Sequence, residues 1–430
     1  MNYQEALEFL ESPARFSPKL GLDRIRAFLK ELGSPQDNFP SVLIAGTSGK
    51  SSSCKMIESV LSASGYKVGL FTKPHLQSYR ERVAIGDEPI SPQDLTSLVE
   101  RMAPAAEKVG HSPLGFPTYF EMGVALAFQY FALKRVDIAV VEVGMGGRLD
   151  ATNILMPILC GITEIGLDHE KHLGNTISQI AFEKAGIIKP GVPLVLSPQK
   201  PEALSVIEAK AQEQGAPILR SNGRGEGPFE FNLKGQRFSL QGRNGPLEEV
   251  FIPLLGEHQI RNAAFALTAL EALRDLGFNW KEEDLRRAFR ELKWPGRLEV
   301  LSQSPLLAID GAHNPDKGQA LAQAVKKYFS FKRLIMVLGF SRDKNYLGFL
   351  EKFQPLNPTI VATAYRSGRA LEPEEIKRAC LEMNLKCETR PSVKEAVERA
   401  RELAEEGDLI LVSGSIYIAG EARDLYYSVE

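Results

Sequence analysis

The chain of 430 residues carries 52 Lys and Arg against 54 Asp and Glu, which gives a net charge of -2 at pH 7. This balance excludes a global basic field that would recruit nucleic acid or an anionic membrane, so anionic ligands must bind at local sites. Hydrophobic residues at 43% and charged residues at 25% are typical of a soluble globular protein, and the length suits two domains.

No targeting or membrane segment is apparent. The N-terminal stretch Met1–Phe16 carries three glutamates and lacks the basic head and apolar core of a signal peptide. No apolar run approaches the roughly 18 residues that a membrane span needs. The four cysteines form no C-x-x-C pair, which favours reduced thiols. We therefore expect a cytoplasmic protein without a membrane or nucleic acid partner.

Up to about Trp294, short β-rich runs alternate with helical ones, as expected for a mostly parallel sheet covered by helices. The predicted strands of this part are Val42–Ala45, Val68–Phe71, Ile138–Val143 and Pro157–Ile162. The predicted helices are Ser91–Met102, Phe120–Phe131, Thr176–Ala185 and His258–Leu276. The first of these helices opens with Ser-Pro, a capping side chain followed by a proline at the first helical position.

The pattern of apolar and turn-forming residues changes twice in the second half of the chain. Between Ser221 and Pro253, glycine-rich turns separate short alternating runs, which predicts a small antiparallel flap. The breaker cluster Lys293–Arg297 then marks a domain boundary. Beyond it, strands alternate with helical stretches and predict a second, doubly wound α/β unit. These strands are Leu306–Ile309, Leu334–Leu338, Thr359–Ala362 and Leu409–Val412.

A glycine-rich loop, Ala45–Ser52, follows the first predicted strand and precedes a helical stretch. In this context, the backbone N–H groups from Thr47 to Ser52 converge on phosphate oxygens, and Lys50 reaches the β and γ phosphates. The loop is a compact G-x-x-G-K form, because Ile44 stands where the standard Walker spacing requires a glycine. An ordinary glycine turn is the alternative, and the coincidence of lysine, hydroxyls and strand-to-helix context weighs against it.

Three further side chains have chemistry that suits a phosphate-binding or phosphoryl-transfer site. Glu142 ends an apolar strand, and the carboxyl ends of strands in open α/β sheets face the ligand crevice. His169 is either a metal ligand or a capping or core histidine, and its surroundings in the sequence leave both open. Ser415 follows the last predicted strand in a Ser-Gly-Ser turn that suits anion binding, although a plain turn is nearly as good an interpretation.

Five segments in register resemble the amide-forming ligases of the Mur type, and more closely folylpolyglutamate synthase and dihydrofolate synthase than the cell-wall members. The segments are the loop Ala45–Ser52, Val141–Asn153, Asp168–Lys189, Glu257–Ala263 and Asp310–Pro315. The resemblance extends from about Gly21 to about Ile418. It implies an N-terminal P-loop ATPase domain over residues 1–296, with a mostly parallel sheet and a β flap at about 221–253. A C-terminal Rossmann-like α/β domain would cover residues 297–430.

The resemblance also implies the reaction. It predicts an ATP-dependent, ADP-forming ligase that joins L-glutamate to a folate-type carboxylate through an acyl phosphate, and a monomer in solution. We favour a bifunctional enzyme that accepts dihydropteroate and reduced folates. A synthase that only extends polyglutamate tails, a cell-wall peptide ligase and a non-catalytic nucleotide-binding regulator remain as alternatives.

Site residues follow from the resemblance position by position. The implied catalytic residues are Lys50, Glu142, His169, Lys184 and Arg297. The implied ATP-binding residues are Gly46, Thr47, Ser48, Gly49, Lys50, Ser51, Ser52, Asn262, Arg297, Asp310 and His313. The implied metal ligands, for one or two Mg²⁺ with K⁺ as a further cation, are Ser51, Glu142, His169 and Lys184 as a carbamate. The implied folate contacts are Pro74, His75, Thr118, Phe120, Asp150 and Ala151, and those of the glutamate cleft are His313 and Ser415.

The sequence departs from the family pattern where metal chemistry is expected. Ser51 stands in place of a glycine and Lys73 in place of a serine, while Ser48 replaces an asparagine. An ammonium has donors and no acceptor, so Lys73 cannot ligate a cation. Because a hydroxyl is gained at 51 and lost at 73, we predict that Ser51 holds the ATP-linked Mg²⁺ and that Lys73 reaches toward phosphate or the acceptor carboxylate.

Overall fold

Three sheets organise the part of the chain that this computed structural model describes, residues 1–12, 21–221 and 225–427. The helices are α1 Tyr3–Leu10, α2 Asp23–Glu31, α3 Lys50–Ala63, α4 Pro92–Gly110, α5 Tyr119–Lys134, α6 Glu170–Leu173, α7 Ile177–Ala185, α8 Pro201–Glu213, α9 Glu257–Asp275, α10 Glu282–Arg290, α11 Pro315–Tyr328, α12 Tyr346–Phe353, α13 Pro373–Glu382, α14 Val393–Leu403 and α15 Ile416–Asp424. The strands are β1 Ser41–Ala45, β2 Val68–Phe71, β3 Val83–Ile85, β4 Glu88–Pro89, β5 Ile138–Glu142, β6 Leu159–Ile162, β7 Leu194–Leu196, β8 Ile218–Arg220, β9 Gly225–Asn232, β10 Gly235–Gly242, β11 Gly245–Ile252, β12 Glu299–Gln303, β13 Leu306–Ile309, β14 Leu334–Leu338, β15 Thr359–Ala362, β16 Cys387–Thr389 and β17 Leu409–Ser413.

The first sheet has eight strands in the order β4-β3-β2-β5-β1-β6-β7-β8. Strands β2, β5, β1, β6, β7 and β8 run parallel, and the short β3 and β4 add an antiparallel edge. The central strands β1, β5 and β6 are buried along their whole length, as expected for apolar runs covered by helices on both faces. Ile44 of β1 pairs with Glu142 of β5, so the glycine loop and that carboxylate emerge side by side at one edge of the sheet.

The flap is the antiparallel sheet β9-β10-β11, as predicted, although residues 222–224 of the predicted range lie outside the described residues. Its inward side chains, such as Phe238 and Val250, share one apolar cluster with α9. Helix α9 lies close to the first sheet, because a Cβ on Gly161 of β6 would come within 2.7 Å of the Phe265 ring. The flap therefore belongs to the N-terminal unit and backs the helix that carries Asn262.

The C-terminal unit contains a six-stranded sheet in the order β12-β13-β17-β14-β15-β16. Strands β13, β17, β14, β15 and β16 are parallel, and β12 pairs antiparallel with β13 at one edge. The four predicted strands are confirmed, while β12 and β16 were not predicted because they are only half buried. Apolar clusters cover both faces of this sheet, which is the doubly wound arrangement that the sequence indicates.

The flap also contacts the C-terminal unit. Tyr328 of α11 donates a hydrogen bond of 2.6 Å from its hydroxyl to Gln236 Oε1 on β10. Gln236 is fully buried and donates from Nε2 to the carbonyl oxygens of Leu254 and Gly256. The Phe231 ring lies 4.7 Å from the Tyr328 ring. A neutral, buried hydrogen-bond network thus joins the flap to the C-terminal unit.

The predicted fold class is confirmed: a mostly parallel sheet with an antiparallel flap, followed by a second α/β unit. One helix end was wrong. The prediction ended a helix at Met102, but α4 continues to Gly110 through Pro104, because Ala106 and Val109 are buried in the core. The domain division at residue 296 stays a prediction. Among the described helices, none combines the length and apolarity needed to span a bilayer.

The tight packing of α9 on β6 gives a test of the fold beside the site. Gly161→Ala should lower the free energy of unfolding by about 1–3 kcal/mol, because the added methyl overlaps the Phe265 ring in a packed core. Denaturant unfolding of the purified protein measures this difference. Gly368→Ala is the control, since nothing lies within 4 Å of its added Cβ. Equal stability of the two variants would contradict the packing described here.

Candidate active site

The glycine loop between β1 and α3 is shaped by two glycines that cannot carry a side chain. Gly46 has φ +143° and its added Cβ would lie 1.9 Å from Thr163 Oγ1. Gly49 has φ +86° and its added Cβ would lie 2.3 Å from Asn262 Oδ1. Both φ values lie in a region that favours glycine. The loop therefore fits between β6 and α9 only with glycine at these two positions.

Two of the predicted phosphate-binding amides have a hydrogen-bond partner within the protein. The backbone N–H groups of Thr47 and Ser48 donate to the carbonyl oxygen of Glu164, at 2.9 and 3.2 Å. Helix α3 begins at Lys50, and the first N–H groups of a helix have no partner within it. The amides at the start of α3 thus lack a partner within the helix, whereas those of Thr47 and Ser48 hold the loop against the segment after β6; phosphate binding by the loop amides stays a prediction.

Lys50 and Glu142 form the centre of the site. Lys50 Nζ donates to the carbonyl oxygens of Gly46 at 2.8 Å and Thr47 at 3.4 Å, and it lies 4.0 Å from Glu142 Oε1. Glu142 is 2% exposed, and its second oxygen accepts a hydrogen bond of 3.2 Å from the Lys73 backbone N–H. Glu142 therefore has one oxygen held by the backbone and one directed toward Lys50.

Lys184 of α7 is buried, with its Nζ donating to the Gly46 carbonyl oxygen at 2.8 Å. Burial lowers the pKa of Lys184 well below its ordinary value, and the charges of Lys50 and Lys73 lower it further. Burial and Lys50 also lower the pKa of Lys73 to about 8. The sequence alone indicates a solvated lysine at 184, whereas the structure buries its amine in the cleft with a lowered pKa.

The donor set fits Mg²⁺ in part. Within the described ranges, no three His, Cys, Asp or Glu side chains are grouped so as to hold a metal ion by themselves. Glu142 supplies carboxylate oxygen, and burial lowers the pKa of His169 to about 3, which keeps its imidazole neutral. Mg²⁺ is commonly held by one or two carboxylates together with substrate phosphates, so this sparse set is suitable once phosphate oxygens complete it.

The C-terminal unit supplies the opposite wall of the cleft. The Asp310 carboxylate accepts hydrogen bonds from the backbone N–H groups of Leu298 and Ala312, at 2.8 and 2.7 Å. Burial raises the pKa of Asp310, an effect that Arg297 opposes. Burial also lowers the pKa of Arg297, whose Nη1 donates to the Gly296 carbonyl oxygen. His313 Nδ1 lies 2.9 Å from the Gly311 carbonyl oxygen.

The two units touch at the edge of the cleft through Asp168. Its carboxylate forms an ion pair of 3.0 Å with Lys344 and accepts a weaker hydrogen bond of 3.4 Å from Asn314 Nδ2. Burial alone would raise the pKa of Asp168, but Lys317, His169 and Lys344 together hold it below its usual range. We call the Asp168–Lys344 ion pair the clasp, because it joins the loop after β6 to the loop after β14.

The structure brings the predicted nucleotide and metal residues together around one cleft of about 420 Å³. The predicted residues that line it are Gly46, Thr47, Ser48, Gly49, Lys50, Ser51, Ser52, Pro74, Glu142, His169, Lys184, Asn262, Arg297, Asp310 and His313. Sequence reasoning missed Lys317 and Lys344, which belong to the C-terminal wall or its edge. The signal available was position, since both follow the carboxyl ends of parallel strands, where ligands of such sheets bind.

The remaining predicted residues do not line this cleft. They are His75, Thr118, Phe120, Asp150, Ala151 and Ser415. Phe120 and Asp150 nonetheless meet beside it, because a Cβ on the cleft residue Gly144 would lie 2.3 Å from the Phe120 ring and 2.7 Å from Asp150 Oδ2. Asp150 already accepts hydrogen bonds from the Met145 N–H and from the N–H and hydroxyl of Thr152. Ala151 is buried next to it.

Three of these residues have structural partners of their own. Thr118 caps α5, accepting from the Glu121 N–H and donating from its hydroxyl to the Glu121 carboxylate. Ser415 caps α15 by accepting from the Tyr417 N–H. His75 Nδ1 accepts a hydrogen bond of 2.9 Å from Arg82, and burial lowers its pKa to about 3. Their predicted contacts with folate or glutamate stay predictions.

Comparison with known proteins matches this architecture along the whole chain. Residues 44–270 match the model of the Mur ligase middle domain, and residues 296–416 match that of the Mur ligase glutamate ligase domain. The dihydrofolate synthase/folylpolyglutamate synthase of Bacillus subtilis is 34% identical over 427 residues, 98% of either chain. The structure of Mycobacterium tuberculosis folylpolyglutamate synthase complexed with ADP covers 99% of this chain and 98% of its own, with 34% identity and a TM-score of 0.93.

A further solved structure, Escherichia coli FolC in complex with DHPP and ADP, is 30% identical with a TM-score of 0.86, covering 99% of this chain and 97% of that one. Fold, cleft and matches together define an ATP-dependent, ADP-forming ligase of the Mur type. Within that class, the chain belongs to the dihydrofolate synthase/folylpolyglutamate synthase family. The resemblance seen in the sequence is thereby confirmed.

Removing the loop lysine tests the assignment of the site. Lys50→Ala should lower turnover by roughly 100-fold or more, because it deletes a cation placed for the transferring phosphates. Its melting temperature should stay near that of the wild type, since the side chain faces the cleft, donates to two loop carbonyls and makes only a long ion pair of 4.0 Å with Glu142. The exposed Lys234 serves as a matched control for a Lys→Ala change. A folded Lys50→Ala variant with near-wild-type kcat would refute the assignment.

Proposed function

We propose that this enzyme joins L-glutamate to the carboxylate of a folate-type acceptor, with ADP and phosphate as products, and that it accepts both dihydropteroate and reduced folates. The observation that carries the proposal is the convergence of two walls on one cleft. Lys50, Glu142 and Lys184 come from the N-terminal unit, and Arg297 and His313 from the C-terminal unit. Relatives named as bifunctional synthases align over nearly the whole chain.

The chemistry requires an activated carboxyl. The acceptor carboxylate attacks the γ-phosphorus of ATP and ADP leaves, which gives an acyl phosphate. The amine of glutamate then attacks the acyl carbon, phosphate leaves, and the nitrogen loses its proton. Lys50 and Arg297 hold the phosphoryl charge from opposite units, so the cleft must be closed for transfer. Closure also excludes water, which would otherwise hydrolyse the acyl phosphate.

Residues of the N-terminal wall have the donors that Mg²⁺ needs. Ser51, Glu142 and His169 would hold it together with phosphate oxygens, and the ion would spread the charge that develops on the phosphoryl group. A carbamate on Lys184 would add an oxygen ligand. It forms when the neutral amine attacks the carbon of CO₂ and the nitrogen releases a proton, and the low pKa of Lys184 favours the neutral amine that this step needs.

Phosphate release tests the function directly. We expect release only when ATP, an acceptor and L-glutamate are all present, and we expect it with dihydropteroate and with tetrahydrofolate as separate acceptors. Release with tetrahydrofolate but not with dihydropteroate as the acceptor would favour the alternative, a synthase that only extends polyglutamate tails. Steady release with ATP alone, or none under any combination, would contradict the ligase mechanism. A cytoplasmic location, a monomeric state and a role for K⁺ stay predictions.

Lys184 gives a prediction for the carbamate. Lys184→Ala should lower kcat by roughly 100-fold, and formate or acetate should restore part of it by occupying the vacated space with carboxylate oxygen. A ¹³C NMR signal of the carbamate should appear when the wild type is equilibrated with labelled bicarbonate. Lys189→Ala is a control, because Lys189 lies near the end of the same segment and binds only the Asn153 carbonyl. A wild type without the signal would rule out the modification.

Ser51 gives a prediction for the metal. Ser51→Ala should raise the Mg²⁺ concentration for half-maximal activity by roughly tenfold, because it removes the hydroxyl beside Lys50. Lys73→Ser should restore an oxygen donor at that position and shift the Mg²⁺ dependence in the opposite direction. Ser59→Ala, on the same helix but away from the cleft, is the control. An unchanged Mg²⁺ dependence in Ser51→Ala would show that the two sequence departures are unrelated.

A further inference from the structure

Lys317 is a cleft side chain to which the mechanism above gives no role. It lies in the first turn of α11, on the C-terminal wall, and is half buried. Asn314 caps that helix, with its side-chain oxygen accepting a hydrogen bond of 2.9 Å from the Lys317 backbone N–H. The cap fixes where the helix begins and so fixes the direction in which the Lys317 side chain leaves the backbone.

A single hydrogen bond orients the Lys317 amine. Its Nζ lies 3.3 Å from His313 Nε2, and His313 Nδ1 lies 2.9 Å from the Gly311 carbonyl oxygen. Because a carbonyl oxygen only accepts, Nδ1 carries the hydrogen, and Nε2 is the acceptor for the lysine. Burial lowers the pKa of His313 well below its ordinary value, which agrees with a neutral ring. The other hydrogens of the Lys317 amine remain for a ligand in the cleft.

The charges around Lys317 are mostly positive. Lys50 faces it from the glycine loop, Lys344 from the loop after β14 and Arg297 from the domain boundary. The acidic groups on its side are Asp316, the neighbouring and exposed residue of α11, and Asp168, which is engaged in the clasp. Among the described residues, no carboxylate lies within 4.0 Å of the Lys317 Nζ. The cations that face Lys317 thus outnumber the acidic groups, Asp168 and Asp316.

We propose that Lys317 is a further catalytic residue that binds the phosphoryl group transferred from ATP, from the C-terminal side of the cleft. This inference rests on the proposed function and adds the Lys317 ammonium to the groups that act on the phosphoryl group. Lys50 marks where the γ-phosphate lies, and Lys317 and Lys50 are close enough for their charges to interact. The phosphoryl group stays anionic from ATP through acyl phosphate to free phosphate, so a fixed ammonium can accompany it throughout.

The proposal has a consequence that binding can reveal without turnover. Burial, opposed by Asp168 and reinforced by Lys50, lowers the pKa of Lys317 to about 7. At pH 8 the amine of the free enzyme is therefore mostly neutral. A γ-phosphate beside it favours the charged form and raises its pKa. Binding of a nucleotide with a γ-phosphate should then take up a proton at Lys317, and affinity should weaken as the pH rises above 7.

Calorimetry measures that proton. Binding of AMPPCP and of ADP is titrated at pH 8 in two buffers of different ionisation enthalpy, with wild type, Lys317→Met and Lys317→Arg. We expect wild type to take up more protons with AMPPCP than either variant does, and the difference to shrink with ADP. The comparison between proteins cancels protons released by the nucleotide and by Lys184. Equal uptake in wild type and both variants would overturn the proposal.

Steady-state kinetics distinguish two roles for Lys317: direct contact with the phosphoryl group, or structural support of the His313 ring. Lys317→Met should lower kcat/KM for ATP roughly 100-fold with little change in the KM for glutamate. Lys317→Arg should keep most of the activity because it retains a cation. Lys326→Met, an exposed position near the end of the same helix, is the control and should match wild type. A defect confined to the KM for glutamate would overturn the proposal and assign Lys317 to the glutamate site.

These measurements distinguish the new role from the function beneath it. If wild type forms no glutamylated product, the proposed function fails, and the calorimetric comparison still decides whether Lys317 meets a γ-phosphate. If wild type turns over and Lys317→Met behaves as wild type in both assays, the ligase assignment stands and only the role of Lys317 is lost.

Discussion

One backbone carbonyl, that of Gly46, accepts hydrogen bonds of 2.8 Å from two lysines, Lys50 and Lys184. The carbonyl can be there only because Gly46 adopts a φ of +143° against Thr163, where a side chain has no space. Two ammonium groups near one oxygen repel each other, and burial adds to the cost of charging Lys184. The geometry of one glycine therefore brings the two amines to one oxygen, where burial and the neighbouring charge of Lys50 lower the pKa of Lys184.

The sequence was sufficient for the parts of the site that depend on backbone topology. Parallel strands end at one edge of a sheet, so the loop after β1 and Glu142 at the end of β5 could be placed in a crevice from the order of the residues alone, whereas Asp310 needed the family resemblance. Strand bounds in the C-terminal unit were also predictable, because apolar runs such as Leu334–Leu338 are buried on both faces. Lys184 needed the family resemblance, since a lysine on a mixed helix is ordinarily solvated.

What the sequence could not provide depends on side-chain hydrogen bonds across the fold. Nothing local indicates that the Thr47 and Ser48 amides are used by Glu164, a residue far along the chain. Lys317 and Lys344 look like surface lysines until the C-terminal unit is placed against the loop after β6. Thr118 and Asp150, which the sequence assigns to folate, likewise cap a helix and a 3-10 turn. Their side chains already accept hydrogen bonds from the backbone of the protein itself.

Two of the contacts that span the units differ in kind, and this difference matters in salt. The network of Tyr328 and Gln236 joins neutral groups, whereas the clasp joins Asp168 and Lys344 at the rim of the cleft. Dissolved ions weaken attraction between charges and leave hydrogen bonds between neutral groups largely unaffected. Raising ionic strength should therefore weaken the clasp more than the flap contact, but only modestly, because both clasp side chains are 13% exposed and partly buried pairs are screened less. Neutral contacts elsewhere, such as Tyr328 with Gln236 and the packing of Leu76 among Ile416 and Ile418, would keep the units together in salt, so the effect should be confined to the edge of the cleft at the clasp.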